Sequence, residues 1–313
     1  MRETYDISIP DAGRAQFTIY SSTVSAEIQY NREQHAVWLK ISVIYNNEKQ
    51  LPGARKKAYN IIRKLIRITN QLLDALDRRL PGAEISISTR NHYYTITIRT
   101  PDKTGYFTFN LYSLFRYYNT DRHFITNYTD YLTRFFNDDQ AQEKARAKFQ
   151  SALTSILQSE SDIDFRLDPN EPVIYLPDND HYIEFDFISA SNFRIKLHLI
   201  GQNYAVHLKL TIPAYSIDTK PHAVAGSVFD LYNKIKDITN YLITKYTLLL
   251  CHPVFLFTQT TISKHLVITL RADKRITSPI IIQDSIRLDK LMKSSTDDII
   301  ARLESKSKLP EPI

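Results

Sequence analysis

The strongest constraint in this sequence is an internal repeat, in which the second half of the chain matches the first. A strand-like segment, Ala36–Tyr45, precedes a helix-like segment, Ala54–Leu80, and the same order returns with Ala205–Ala214 and Ala223–Leu250. Both strand-like segments open with the pattern Ala-Val-x-Leu-Lys. Self-similarity at a fixed period indicates repeated structural units. We therefore predict a tandem duplication.

Further matches follow in the same order at a nearly constant offset, which chance does not readily produce. The duplication predicts a first repeat over residues 1–160 and a second over 161–313, with an acidic connector at about 159–172. The matched positions are Lys64 with Lys234, Ile68–Asn70 with Ile238–Asn240, Ile96–Arg99 with Ile268–Arg271, and Thr129–Asp130 with Thr296–Asp297.

The spacing of apolar residues predicts the order of elements within each repeat. Alternation of apolar and polar residues predicts strands, and apolar residues at i, i+3, i+4 and i+7 over Ala54–Leu80 predict a long amphipathic helix that Pro81-Gly82 ends. A last strand of the first repeat is predicted over Tyr106–Tyr112. Later helices are predicted at His123–Phe136, Gln140–Gln158 and Ser285–Glu304.

The predicted fold class is α+β, a tandem duplication of a ββββ-α-βββ-α unit. Strands joined by short turns run antiparallel, so each unit is expected to be an antiparallel sheet packed against its long amphipathic helix. This order of elements resembles the ββββα-ββββα layout of Whirly and Pur-type single-stranded nucleic-acid-binding domains. The resemblance is one of topology, and it implies a similar ligand as an expectation.

Charge is distributed unevenly between the two repeats. The net charge is +6, and residues 1–160 hold 22 Lys and Arg against 16 Asp and Glu, whereas residues 161–313 hold 18 of each. An excess of basic residues favours an anionic partner. A single cysteine, Cys251, excludes an internal disulfide, and neither a signal peptide nor an apolar run of ~20 residues is present. We expect an intracellular protein (cytoplasmic, nuclear or virion-associated), neither secreted nor membrane-bound.

The hairpin registers predict which side chains leave the core on the outward face of each sheet. A turn centred between Gln202 and Asn203 places His198 opposite His207 and Lys196 opposite Lys209. The matching face of the first repeat carries the only tryptophan, Trp38. Cations that neutralise phosphates and aromatic rings that stack on bases are what single-stranded nucleic acid requires.

The first long helix offers a second basic surface. Eight basic residues against two acidic residues lie on it, whereas its counterpart in the second repeat, counted from Lys220 to Leu250, carries four against two. These two surfaces supply the predicted nucleic-acid-binding residues, which are Trp38, Lys40, Arg63, Lys64, Arg67, Tyr93, Arg99, Tyr106, Lys196, Lys209 and Arg271.

Two alternatives remain open at this stage. Polar sheet faces and charged helix faces commonly do no more than face water. Trp38, Tyr93 and Tyr106 can equally anchor a protein partner or self-association, as in a structural or assembly component of a viral or other large complex.

Catalytic signatures are missing from the sequence. The chain has six glycines and none of the glycine-rich phosphate loops, nucleophile elbows or zinc motifs that mark common enzymes. His198 and His207 have no third ligand in view, and lysines surround them. We therefore expect no enzyme, no cofactor and no metal.

Overall fold

The computed structural model describes residues 3–308 except 91, 160–164, 168–171, 177–180, 251–252, 260–264 and 274–278. Most of the predicted connector at 159–172 and Cys251 therefore lie outside the described residues. The chain forms two compact units, the first ending at Gln142 and including Ser189–Ser191, the second formed by Glu143–Ile188 and the residues from Asn192 onwards. The predicted α+β fold with two repeated units is confirmed.

The first unit contains a sheet followed in sequence by two helices. Its elements are β1 (Glu3–Ile9), β2 (Gly13–Ile19), β3 (Thr23–Arg32), β4 (His35–Ile44), α1 (Leu51–Arg79), β5 (Glu84–Arg90), β6 (Tyr93–Arg99), β7 (Thr104–Asn110), α2 (Leu111–Thr120) and α3 (Phe124–Asn137).

The second unit has a similar order, with three additional elements: the helix Ala141–Ser159 at its start, one more strand before the long helix, and the short helix Ala214–Thr219. Its elements are α4 (Ala141–Ser159), β8 (Arg166–Leu167), β9 (Val173–Tyr175), β10 (Tyr182–Ser189), β11 (Asn192–Gly201), β12 (Tyr204–Pro213), α5 (Ala214–Thr219), α6 (Pro221–Thr247), β13 (Val254–Gln259), β14 (His265–Arg271), β15 (Ile280–Arg287), α7 (Leu288–Lys293) and α8 (Thr296–Glu304).

In each sheet the strands lie side by side in chain order, from β1 to β7 and from β8 to β15. The sheets differ from the predicted antiparallel arrangement at one place in each unit, because β4 pairs with β5 and β12 pairs with β13 in parallel. The long helices α1 and α6 connect these pairs. A helix that crosses back over the sheet returns the chain to the edge where the previous strand began, so the next strand runs parallel to it.

The amphipathic pattern of α1 determines which face of the first sheet becomes the core. Its apolar stripe packs against β3 and β4. In β4 every second residue from His35 to Val43 is buried, while Trp38 and Lys40 face away from the helix. Pro52 lies in the first turn of α1, and Gly82, at φ +81°, follows its end in a left-handed conformation that glycine adopts without strain.

Nearly all of α4 belongs to the second compact unit, which begins at Glu143. Phe149 is fully buried, and its ring centroid lies 5.2 Å from those of both Phe185 and Phe193. Leu153 and Leu157 join the same core. The sequence predicted this helix but not its unit. A repeat assigns only segments that have a match in the other half of the chain, and α4 has no counterpart among the described elements of the first unit.

Two predictions near the ends of the units need correction: the strand predicted to extend to Tyr112 and the helix predicted to begin at Ser285. The segment after β7 forms α2 from Leu111, where Asn110 caps the helix by accepting hydrogen bonds from the backbone N–H groups of Tyr112 and Ser113. In the second unit Ser285 lies in β15 and not in a helix, because this strand pairs with β14 and buries Ile282 and Ile286.

Candidate nucleic-acid interface

A row of basic side chains follows the exposed side of α1. We call Lys56, Lys57, Arg63, Lys64 and Arg67 the basic stripe. Intervals of seven and eleven positions from Lys56 to Arg63 and Arg67 bring these three residues to one side of the helix. Arg63 and Arg67 are exposed, whereas Lys64 is half-buried.

The residues of the basic stripe form no ion pair within the part of the chain that the structure describes. No Asp or Glu occurs in the sequence between Glu48 and Asp74. Among the described residues, no carboxylate oxygen lies within the 4.0 Å of an ion pair from any of its five charged groups. By contrast, Arg55 and Arg79 of the same helix pair with Glu3 and Asp130 at 3.1 and 2.6 Å. The stripe is therefore a concentration of positive charge that the fold leaves uncompensated.

Helix α2 lies beside the stripe and positions Lys64. The ammonium group of Lys64 lies 5.4 Å from the ring centroid of Phe115 and 5.6 Å from that of Tyr118, and it donates a hydrogen bond to Asn119 Oδ1. Between the two helices is an open groove of about 440 Å³, which we call the α1–α2 groove. It is lined by Gly53, Lys56, Lys57, Asn60, Ile61, Lys64 and Phe115.

The outward face of the first sheet carries Trp38 and Lys40 in the predicted register, opposite Gln29 and Glu27. Both side chains bind Glu27: the Lys40 ammonium lies 2.9 Å from one carboxylate oxygen, and the Trp38 Nε1–H donates to the other at 2.9 Å. Hydrogen bonding from Lys40 and then from Trp38 lowers the pKa of Glu27 against the opposing effect of burial. Glu27 therefore already compensates the positive charge of Lys40.

Further along the same face, Tyr93 and Tyr106 are 48% and 64% exposed. Arg99 lies opposite Glu84, 3.9 Å from its carboxylate. The sequence prediction missed Arg90, an exposed residue that pairs with Tyr93 across β5 and β6. Its position two residues after the outward-facing Ser88 would have identified it.

In the second unit the predicted register is confirmed, since His198 pairs with His207 and Lys196 with Lys209. Lys196 forms an ion pair with Glu184 at 2.6 Å. Lys209 is exposed, and Arg271 is half-buried at the end of β14. The outward face of this sheet thus holds at least one cation that is already paired.

The two histidines of this face lie with their Nδ1 atoms 3.0 Å apart. Tyr182 stacks on His198 at a centroid distance of 4.3 Å. Burial, and then the proximity of His207, lower the pKa of His198. Across the described ranges, no group of three or more His, Cys, Asp or Glu side chains is arranged to hold a metal ion.

Within the first unit, the predicted binding residues lie on two different surfaces. Arg63, Lys64 and Arg67 lie on the helical side of the first unit. Trp38, Lys40, Tyr93, Arg99 and Tyr106 lie on the opposite side of its sheet, and Lys196, Lys209 and Arg271 belong to the second unit.

Of the residues that line the groove, the predicted binding set included only Lys64 and missed Gly53, Lys56, Lys57, Asn60, Ile61 and Phe115. Phe115 was missed because α2 was not predicted. The available signal was an N-cap asparagine, Asn110, followed by apolar residues at helical spacing, Leu111, Leu114 and Phe115.

No family model, curated protein or solved structure matches the chain. The resemblance to Whirly and Pur-type domains therefore rests on the order of elements alone. In the part of the chain that the structure describes, no helix is both long and apolar enough to cross a lipid bilayer.

Proposed function

We propose that this chain is a non-catalytic protein that binds single-stranded nucleic acid through the basic stripe of α1. The observation that carries the proposal is the set of five clustered cations without a carboxylate partner among the described residues. Uncompensated like charges repel one another in the folded protein, so an anionic ligand at the stripe relieves a cost that the fold itself imposes.

The dimensions of the basic stripe suit a phosphate backbone. Eleven positions separate Lys56 from Arg67, which is about 16 Å along a helix at ~1.5 Å per residue. A stacked strand rises ~3.4 Å along its axis per nucleotide, so the stripe is as long as the axial rise of about five nucleotides. Every neutralised phosphate releases counterions, and binding must therefore weaken steeply as salt rises.

The cations of the sheet faces support the proposal less. Lys40, Arg99 and Lys196 each have a carboxylate within ion-pair distance. A phosphate that binds one of them must displace or repel that carboxylate. Each cation of the basic stripe should therefore attract a phosphate more strongly than a paired cation of the sheet faces does.

The test is fluorescence anisotropy of labelled single-stranded DNA and RNA oligonucleotides at low and moderate salt. We expect the triple variant Arg63→Ala, Lys64→Ala, Arg67→Ala to lose most of the affinity, and its log–log salt slope to fall by about 2, from ~0.7 per lost phosphate contact. The control Trp38→Ala, Lys40→Ala on the opposite face should retain binding. No binding by the unmodified chain even at low salt would refute the proposal.

A second candidate is a structural or assembly role in which the outward face of the first sheet binds a protein partner or another copy of the chain. The observation that favours it is the exposure of Trp38, Tyr93 and Tyr106, at 48%, 48% and 64%, on one face. Aromatic residues are enriched at the centres of such interfaces. Light scattering should then detect an assembly that Trp38→Ala weakens and that moderate salt leaves intact.

A further inference from the structure

We infer that the α1–α2 groove binds one unstacked base of the strand while the lysines at its rim bind the adjacent phosphates. This inference rests on the proposed function and adds to it a site for the base and a reason for preferring single strands. A volume of about 440 Å³ lies within the ~300–1,000 Å³ that is usual for small-ligand sites.

The lining of the groove divides into an apolar part and a charged part. Ile61 and Phe115, both half-buried, offer apolar and aromatic surface to a base. Lys56, Lys57 and Lys64 supply three ammonium groups. Aromatic surface combined with cations is the combination by which proteins hold single strands, because every base presents a π-face and every nucleotide a phosphate.

Asn60 and Gly53 suit the same role. The Asn60 side chain is exposed, and its amide can both donate and accept hydrogen bonds, as the edges of bases require. A Cβ atom added at Gly53 would meet nothing within 4 Å, so the absence of a side chain keeps this part of the groove open.

Lys64 is held in place before any ligand arrives. Its contacts with Phe115, Tyr118 and Asn119 fix the ammonium group between the two helices. A side chain that is already ordered loses less conformational entropy on binding. The lysine therefore serves as a positioned contact for phosphate and not merely as a flexible surface charge.

The described residues of the second unit differ at the equivalent place. When the two long helices are aligned on their matched lysines, Ile61 corresponds to Leu231, which is 2% exposed. Lys57 and Asn60 correspond to Ser227 and Asp230, an uncharged and an acidic residue. The apolar surface is covered there and the rim has lost positive charge, so the base site is a property of the first unit.

A duplex cannot use this groove without unstacking a base pair. Its phosphates can still contact the basic stripe, but its bases remain stacked and paired. The groove thus predicts tighter binding of single strands than of duplexes of equal length at the same salt concentration.

The experiment is to fill the groove without changing any charge. Gly53→Leu adds a side chain where there is free space, and Gly226→Leu does the same on α6, where an added Cβ also meets nothing within 4 Å. We expect Gly53→Leu to weaken single-strand binding about tenfold, the order of a lost base contact. The duplex affinity and the salt slope should stay unchanged, and Gly226→Leu should bind as the unmodified chain does.

Oligonucleotides with abasic positions provide the second arm, because they keep every phosphate. They should bind Gly53→Leu and the unmodified chain equally. Phe115→Leu, which keeps an apolar side chain and removes the aromatic ring, should reproduce the loss if Gly53→Leu does not fold.

The outcomes separate the two proposals. If the unmodified chain binds no oligonucleotide, both the proposed function and the groove inference are overturned. If it binds, but Gly53→Leu and Phe115→Leu leave the single-strand affinity unchanged, only the groove inference is overturned.

Discussion

Helices α1 and α6 occupy the same position in the two units, and one matched lysine shows how far they have diverged. Lys234 of α6 donates hydrogen bonds to the backbone carbonyls of Leu291, Met292 and Ser294, at 3.2, 3.0 and 2.7 Å, at the end of α7. Carbonyls at a helix end lack partners within the helix, and a cation is favoured there. Lys234 is therefore a structural residue.

Lys64 of α1 also reaches the helix that follows the last strand, but it contacts side chains and lines an open groove. Around it the charge differs as well. With the two lysines aligned, Lys57, Arg63 and Arg67 correspond to Ser227, Asn233 and Asp237. A lysine shared by two repeats need not have the same role, because its neighbours determine whether its charge is bound by groups of the protein or is available to a ligand.

The largest expected effect concerns α4, which only the second unit has among the described elements. Phe149→Ala removes a fully buried ring from the core that α4 shares with β10 and β11. Such a truncation costs about 3–5 kcal/mol of unfolding free energy. Urea unfolding followed by circular dichroism should detect this loss.

The emission of Trp38, which lies in the first unit, should report an unchanged transition. The exposed Ser151→Ala on the same helix is the control. An unchanged circular-dichroism transition would contradict the contribution of Phe149 to this core.

The next effect tests the charge difference between the two helices. Replacing Lys57, Arg63 and Arg67 by their counterparts, as Lys57→Ser, Arg63→Asn and Arg67→Asp, should lower single-strand affinity about 100-fold, or ~2.7 kcal/mol. The physical reason is the loss of three phosphate contacts and the gain of one like charge. Anisotropy titration measures it.

The reciprocal substitutions can be added to this triple variant as Ser227→Lys, Asn233→Arg and Asp237→Arg. We expect them to restore part of the affinity but not the preference for single strands. Leu231, the counterpart of Ile61, is buried and offers no apolar surface to a base, so only phosphate contacts are gained. Full recovery of the preference would show that charge alone determines it.

A smaller effect separates the roles of the matched lysines. Lys234→Met should destabilise the second unit by about 2 kcal/mol, because carbonyls at the end of α7 lose a charged donor. Lys64→Met should cost less than about 1 kcal/mol, the worth of exposed cation–π contacts. Chemical denaturation compares the two, and equal costs would mean that Lys64 is as structural as Lys234.

The smallest effect concerns the sheet face of the first unit. Because Lys40 and Trp38 lower the pKa of Glu27, the carboxylate contributes stability above its ordinary pKa of 4.5 and loses that contribution as the pH falls through the lowered value. The only tryptophan should report this protonation as a change in emission below pH 4.5. Glu27→Gln should abolish the change and cost less than ~1 kcal/mol. An unaltered titration in that variant would exclude Glu27 as its source.

The sequence predicted well those features that depend on nearest neighbours along the chain. The alternation of β11 and β12 gave the pairing of His198 with His207, and the helical period over Ala54–Leu80 gave α1 with small errors at its ends. The prediction was wrong at Ser285, which lies between a run of isoleucines and a helical pattern. Pairing with β14 extends the strand through this residue.

The binding surface was predicted only in part for the same physical reason. A list of cations does not show which ones have a carboxylate nearby: Lys40 meets Glu27 from the neighbouring strand, and Lys196 meets Glu184. The duplication, the order of elements and the concentration of positive charge in the first repeat are properties of the sequence by itself, because periodicity and composition are local.

Three features follow from the tertiary structure alone. They are the set of cations that have no carboxylate within ion-pair distance among the described residues, the contact of Phe115 in α2 with Lys64 in α1, and the packing of α4 in the core of the second unit. These features depend on contacts between residues far apart in the sequence. Packing of whole helices and strands determines such contacts, and no local pattern encodes them.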